Sequence, residues 1–165
     1  MRQVAVTHTY YQFNELSPSA QDHAIEQLTD INVDYDWAEW TIEDANMIGL
    51  KITSWDLYRK TIDGTLTKSV RDVIKLIKKN HGKDWDTYKT AETAQQFARE
   101  KILQARLEGK DIPDDIHLGE CLCRDLLKDY LKLLCDEYNY RTSREAIVET
   151  IEANEYEFTE EGDLV

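Results

Sequence analysis

Residues 30–50, DINVDYDWAEWTIEDANMIGL, hold two tryptophans, six carboxylates and no basic residue. A stretch this apolar and this acidic folds only with two faces, one buried and one wet. Tyr35, Ala38, Ile42 and Ala45 recur at steps of three, four and three, and Trp37, Trp40 and Met47 widen that stripe. The spacing predicts a helix over residues 34–48. Asp36, Glu39 and Glu43 form an acidic line beside the stripe. Like charges at that spacing cost roughly a few tenths of a kcal/mol per pair. Asp34 and Asp36 recover part of this at the positive helix N-terminus. Gly49 is a fitting stop.

The charge of the remaining chain extends this pattern. Net charge is −13 over 165 residues, and it is unevenly spread. Residues 3–50 contain nine Asp or Glu and no Lys or Arg, residues 145–165 contain eight and none, and residues 51–144 hold 16 acids against 19 bases. Acidic ends therefore flank a mildly basic middle. If the ends meet, they form one negative surface that repels nucleic acid and membrane phosphates and attracts basic protein patches.

Length and composition fit one α+β domain over residues 1–165, helix-rich, with two small lobes as the lesser option. Residues 4–13 read as a strand and 18–29 as a helix capped by Ser17-Pro18. Residues 50–67 read as a hairpin turning at Asp63-Gly64, and 70–79 as a short amphipathic helix. Two long helices follow, at 86–107 and 118–140, the second rich in leucine. Thr142-Ser143-Arg144-Glu145 matches a capping box before a helix at 143–153, with Asn154 as its left-handed cap. Tyr156 and Phe158 alternate as a final strand. That strand pairs with the N-terminal strand or with the hairpin, giving a small antiparallel sheet near the termini.

Catalytic and metal signatures are weak throughout. Asp30, Asn32, Asp34 and Asp36 imitate the start of a calcium loop, but the sixth and twelfth loop positions hold Tyr35 and Thr41 in place of Gly and Glu. Cys121 and Cys123 are about 200° apart around a helix, so they cannot share a zinc ion. Cys135 stands alone, and three thiols suggest a reducing compartment. His8, His23, His81 and His117 lack partners at ligand spacing, and no phosphate loop or hydrolase signature occurs. No cofactor, metal or catalytic residue is expected, and the pattern favours a non-enzymatic role. The first residues have no apolar h-region, and no run approaches the roughly 18 apolar residues of a membrane helix.

Three stretches carry a resemblance: Tyr11-x-Phe13-x-Glu15-Leu16-Ser17-x-x-Ala20, then Asp34-Tyr35-Asp36-Trp37, then residues 154–162, NEYEFTEEG. Together they resemble a loose family of small acidic bacteriophage and prophage proteins. Its members are often described only as hypothetical, or as antitoxins of toxin–antitoxin stability systems. The likeness covers both ends of the chain, is vague through residues 51–144, and carries no catalytic residue. It implies a phage-encoded protein of the host cytoplasm that acts on a host or toxin protein.

The leading expectation is an interaction protein that neutralises a basic toxin or anti-phage defence factor, with nucleic-acid mimicry as one form. Its expected binding residues are Asp34, Asp36, Trp37, Glu39, Trp40, Glu43, Asp44, Glu155, Glu157, Glu160 and Glu161. It would contact neither nucleic acid nor membrane directly. Two alternatives are a nucleotide- or small-molecule-binding protein or enzyme that uses the basic middle near His81, and a structural or assembly role.

Overall fold

The computed structural model describes residues 9–110 and 115–165. Among them the chain forms six α-helices and two separate two-stranded antiparallel sheets. The α+β, helix-rich class expected from the sequence is what the structure has. The chain divides into two compact units, Met1–Trp37 with Glu137–Val165, and Ala38–Asp136.

The first unit joins the two ends of the chain. Strand β1 (Tyr11–Gln12) pairs antiparallel with β4 (Glu157–Phe158), placing Tyr11 opposite Phe158. So the last strand pairs with the N-terminal strand and not with the hairpin. Of the strand expected over residues 4–13, residues 4–8 lie outside the described residues. The ladder itself covers two residues, because Phe13–Glu15 turns into a 3₁₀ helix. Helix α1 (Pro18–Gln27) begins as expected: Ser17 Oγ accepts from the Ala20 N–H at 3.3 Å, and Pro18 follows. Helix α6 (Arg144–Ala153) is capped by Ser143, whose Oγ accepts from the Ala146 N–H at 3.3 Å. The cap is thus one residue later than the T-x-x-E match suggests. Thr142 spends its hydroxyl on the Tyr138 carbonyl at 2.9 Å. Likewise Glu155, not Asn154, takes the left-handed backbone after α6.

These elements close over one core of Phe13, Leu16, Ala24, Ile147, Ile151 and Phe158. The Phe13 and Phe158 rings meet edge to face at 6.2 Å, the orientation that aligns ring edge with ring face. Beyond β4 the chain turns through Gly162 at φ +94°, where an added Cβ would collide with the Ala20 carbonyl on α1.

The second unit holds α2 (Glu39–Met47), β2 (Leu50–Asp56), β3 (Thr61–Leu66), α3 (Val70–Asn80), α4 (Asp86–Leu107) and most of α5 (Asp115–Arg141). Helix α3 is capped by Ser69 and buries Val70, Val73, Ile74 and Ile77, as its spacing predicts. Helix α4 spans the expected residues 86–107. Leu122, Leu126, Leu127 and Tyr130 of α5 join α3, Leu50 and Ile48 in a second core.

Helix α2 is shorter than expected. It starts at Glu39, five residues late, and ends before Gly49. Side-chain bonds within the first unit hold the preceding residues out of a helix. Asn32 Nδ2 donates to the Arg141 and Ala146 carbonyls, and Thr150 Oγ1 donates to Asn32 Oδ1 at 2.8 Å. The acidic line from Asp36 through Glu39 to Glu43 is broken, since Asp36 precedes the helix.

The hairpin also differs from expectation. Its turn lies at residues 57–60, where Asp56 Oδ1 accepts from the Arg59 N–H at 2.8 Å and Lys60 adopts φ +53°. Asp63-Gly64 sits inside β3, with Gly64 opposite Ile52. The glycine there serves close approach rather than turning. A Cβ at Gly64 would lie 2.6 Å from the Lys51 carbonyl and 2.9 Å from Leu127 Cδ2 of α5. Gly64→Ala is therefore expected to destabilise the second unit by about 1–3 kcal/mol, as overpacked cores do. Urea unfolding checks this, and unchanged stability would show that the close approach is dispensable.

Candidate binding surface

The first unit concentrates the charge. Its described residues carry 15 carboxylates against two bases, Arg141 and Arg144. Both bases are already used inside the unit. Arg141 pairs with Glu137 at 2.8 Å and donates to the Tyr35 hydroxyl at 2.8 Å, and Arg144 pairs with Asp22 at 2.6 Å. The second unit, by contrast, holds 18 acids and 17 bases and is nearly neutral. The contact boundaries thus keep most of the acidic ends together in one unit and leave the other close to neutral.

Asp34, Asp36, Glu155, Glu157, Glu160 and Glu161 all lie in the first unit and are all exposed. None forms an ion pair with a Lys, Arg or His among the described residues. Glu160 and Glu161 line a shallow groove with Glu15, and Glu155 lines another with Glu15 and Glu152. Glu15 is thus a hinge point between two carboxylate pairs, and sequence spacing gave no sign of it. Its neighbours reach it only because β1 and β4 pair. The C-terminal turn is tied to α1 by Asp163, which bonds His23 Nε2 at 3.1 Å and Gln27 Nε2 at 2.7 Å. Those bonds hold the Asp163 carboxyl below the usual carboxylate range.

Trp37 and Trp40 take opposite roles. Trp37 is 7% exposed, its ring 5.8 Å from that of Tyr138, so it is a core residue of the first unit. Trp40, on α2 of the second unit, is 78% exposed. Helical spacing sets Trp40, Glu43 and Met47 on one face of α2, and all three are exposed. Glu39 is exposed on the same helix. An aromatic, a thioether and carboxylates on one solvated face have the composition of an interface anchor.

Asp44 does not belong to that face. Its Oδ2 accepts from the Tyr130 hydroxyl at 2.6 Å, and its Oδ1 bonds His81 Nε2 at 3.3 Å. His81 Nδ1 in turn shares a 2.7 Å bond with Thr87 Oγ1 at the start of α4. His81 is 6% exposed and Thr87 1%. The chain Asp44–His81–Thr87 has the connectivity of a carboxylate–imidazole–hydroxyl triad, but its hydroxyl is buried rather than presented to solvent. Its role is to satisfy polar groups that fasten α2, α4, α5 and the end of α3 together. The sequence hint was a lone His at a helix end, too common to interpret. Of the nearby lysines, Lys75, Lys79 and Lys83 are exposed, and Lys78 bonds Gln95 at 2.7 Å and lies over the Tyr88 ring.

Among the described residues no group of three or more His, Cys, Asp or Glu is placed to hold a metal ion. Cys121, Cys123 and Cys135 are free thiols, and burial pushes the Cys123 thiol up. Among the described residues no helix is long and apolar enough to cross a membrane. Comparison with family models, with curated proteins and with solved structures gives no match.

The buried network has a pH signature. Burial pushes the Asp44 carboxyl up, but the hydrogen bonds from His81 and Tyr130 outweigh it, leaving the group below its ordinary value of 3.8. A depressed carboxylate stabilises the fold above the unfolded value and loses that stabilisation as pH falls through the folded one. Asp129 moves the other way: burial raises it, reinforced by Asp86 and Asp125, while the Thr90 hydroxyl opposes. Tyr130→Phe is expected to cost about 1–3 kcal/mol at neutral pH by stranding Asp44. It should also shrink the stability lost below pH 3.8. Urea titrations at several pH values check both, and an unaltered acid limb would remove Asp44 from this role.

Proposed function

We propose that this chain is a non-enzymatic interaction protein that binds and neutralises a basic partner through its carboxylate-rich first unit. The observation that carries the reading is the concentration of 15 acids against two internally paired bases in that unit. Holding unpaired like charges together opposes folding through self-repulsion. A partner bearing Lys and Arg relieves that repulsion on binding, and the same field speeds encounter. In the second unit, α2 separately exposes Trp40, an aromatic of the kind that dominates interface energetics.

The resemblance to small acidic phage and prophage proteins suits this reading. A basic toxin or an anti-phage nuclease in the host cytoplasm has a cationic surface made to hold nucleic acid. A carboxylate face covering that surface competes with phosphates, which is nucleic-acid mimicry in its simplest form.

The reading is tested by pull-down from bacterial lysate at about 50 and about 500 mM salt, ionic strengths that bracket strong and weak screening. Partners that elute at high salt are then titrated with variants. Reversing Glu155, Glu157, Glu160 and Glu161 to Lys should weaken binding at least roughly tenfold at low salt, mainly through slower association. Trp40→Ala should cost about 2 kcal/mol, mainly through faster dissociation. Binding indifferent to both salt and charge reversal would sink the electrostatic mechanism.

A further inference from the structure

The second unit carries a feature that the carboxylate face leaves unexplained. Among the described residues strand β3 pairs with β2 on one side only. The Thr67 N–H donates to the Gly49 carbonyl at 2.8 Å, so by strand alternation residues 65 and 63 also face β2. Ile62, Gly64 and Leu66 then turn their backbone N–H and C=O groups to the free edge. Cys123 of α5 sits at that edge: its thiol, a weak donor, lies 3.6 Å from the Gly64 carbonyl, and its sulfur takes a bond from the Leu66 backbone N–H. Unpaired strand edges are usually blunted by charge, bulges or a covering element. Here the bulge, between Ile52 and Ser54, is on β2, and β3 itself is regular.

That edge opens onto a groove of about 1070 Å³ between β3 and α5. Gly119, Cys123, Leu127 and Leu131 form its α5 wall, and Ile62 and Leu66 its β3 wall. Its charged rim is mostly cationic, with Lys60, Lys68, Arg124 and Lys128 against Asp63 and Glu120. Lys60 and Lys68 form no ion pair among the described residues, and Arg124 and Lys128 share one carboxylate, Asp125. Gly119 is a helix-interior glycine at which packing does not demand glycine. A Cβ there would meet only Val70 Cγ2, at an ordinary 3.5 Å. What glycine does provide is an unobstructed groove wall.

We infer that the free edge of β3 accepts an extended acidic peptide as an added strand, its apolar side chains on α5 and its carboxylates on Lys60, Lys68 and Lys128. The occupant follows from the geometry. An added strand takes its hydrogen bonds from Ile62 and Gly64, and from Leu66 by displacing the weak Cys123 contact, and its side chains alternate. One set points the same way as Ile62 and Leu66, onto Cys123, Leu127 and Leu131. The other set faces solvent beside the lysines. The peptide is therefore apolar and acidic with a period of two. This site is independent of the carboxylate face and would bind a segment of opposite charge from that face's partner.

Two fluorescent probes test this, one alternating valine with glutamate and one alternating valine with lysine, by anisotropy. Amide hydrogen exchange locates each. The acidic probe should bind at low salt and slow exchange at Ile62, Gly64 and Leu66 at least roughly tenfold, since those amides become strand-bonded. The basic probe should leave those amides unchanged, even where it binds the first unit. Gly119→Glu, which suits a helix and places a carboxylate in the groove, should fold normally and weaken the acidic probe at least roughly tenfold. Lys60→Glu with Lys68→Glu should do the same. Protection of these amides by the basic probe, acidic-probe binding without their protection, or no binding of the acidic probe would each overturn the proposal. So would occupation of the edge by a second copy of the chain, seen as the same amides protected in a concentration-dependent dimer.

Discussion

A ladder of two residues carries much of this molecule's organisation. Pairing Tyr11 with Phe158 brings together segments almost the whole chain apart, and with them two acidic sequences that would otherwise repel. Two ladder pairs contribute little by themselves. The packing around them does more: Phe158 is fully buried, its ring on Phe13, over Ile147 and Ile151 of α6. Each such side chain contributes about 1.5–3 kcal/mol when removed from water. Bonds from Arg144 to Asp22 and from Asp163 to His23 and Gln27 then tie α6 and the C-terminal turn to α1. The hydrophobic core opposes the charge, and the carboxylates are displayed on its rim.

The second unit solves a different problem. It is nearly neutral, and its core is the usual aliphatic one, built on α3 and α5. What sets it apart is where it places polar groups. Asp44, expected on the wet face, is drawn inward by Tyr130 and His81. Buried polar groups that bond each other rigidify an assembly, and removing one strands the rest. The neighbouring carboxylates Glu39 and Glu43 remain outside with Trp40. One turn of α2 thus separates a structural acid from candidate binding acids. The two roles differ by which side of a nine-residue helix each falls on.

Much of the fold was legible in the residues. Helix starts at Ser17-Pro18 and Ser69 follow from capping chemistry, and α3 and α4 follow from apolar spacing. Departures arose where distant groups overrode local preference. Asn32 reaches α6 and the end of α5, which holds residues 30–38 out of α2. Asp63-Gly64 looks like a turn pair, yet contact with Leu127 requires glycine inside a strand. Neither partner is near in sequence, so no local pattern could reveal it. For the same reason, charge counting could find the acidic ends but could not separate Trp37 from Trp40, nor assign Asp44 to His81. Glu15 was quoted only as part of a helix-entry motif, and its place between carboxylate pairs depends on β1 meeting β4.

The central claim is that the first unit holds most of its carboxylates together unpaired, against its own stability. The direct measurement is the unfolding free energy of that unit, read from exchange of the buried Phe158 amide across ionic strength. Neutralising Glu155, Glu157, Glu160 and Glu161 to Gln provides the comparison. If the claim holds, stability rises with salt, and the neutralised variant is more stable at low salt and less sensitive to it. A stability that falls with salt, or a neutralised variant weaker than the natural chain at low salt, would mean that these carboxylates are engaged in stabilising pairs, and would contradict it.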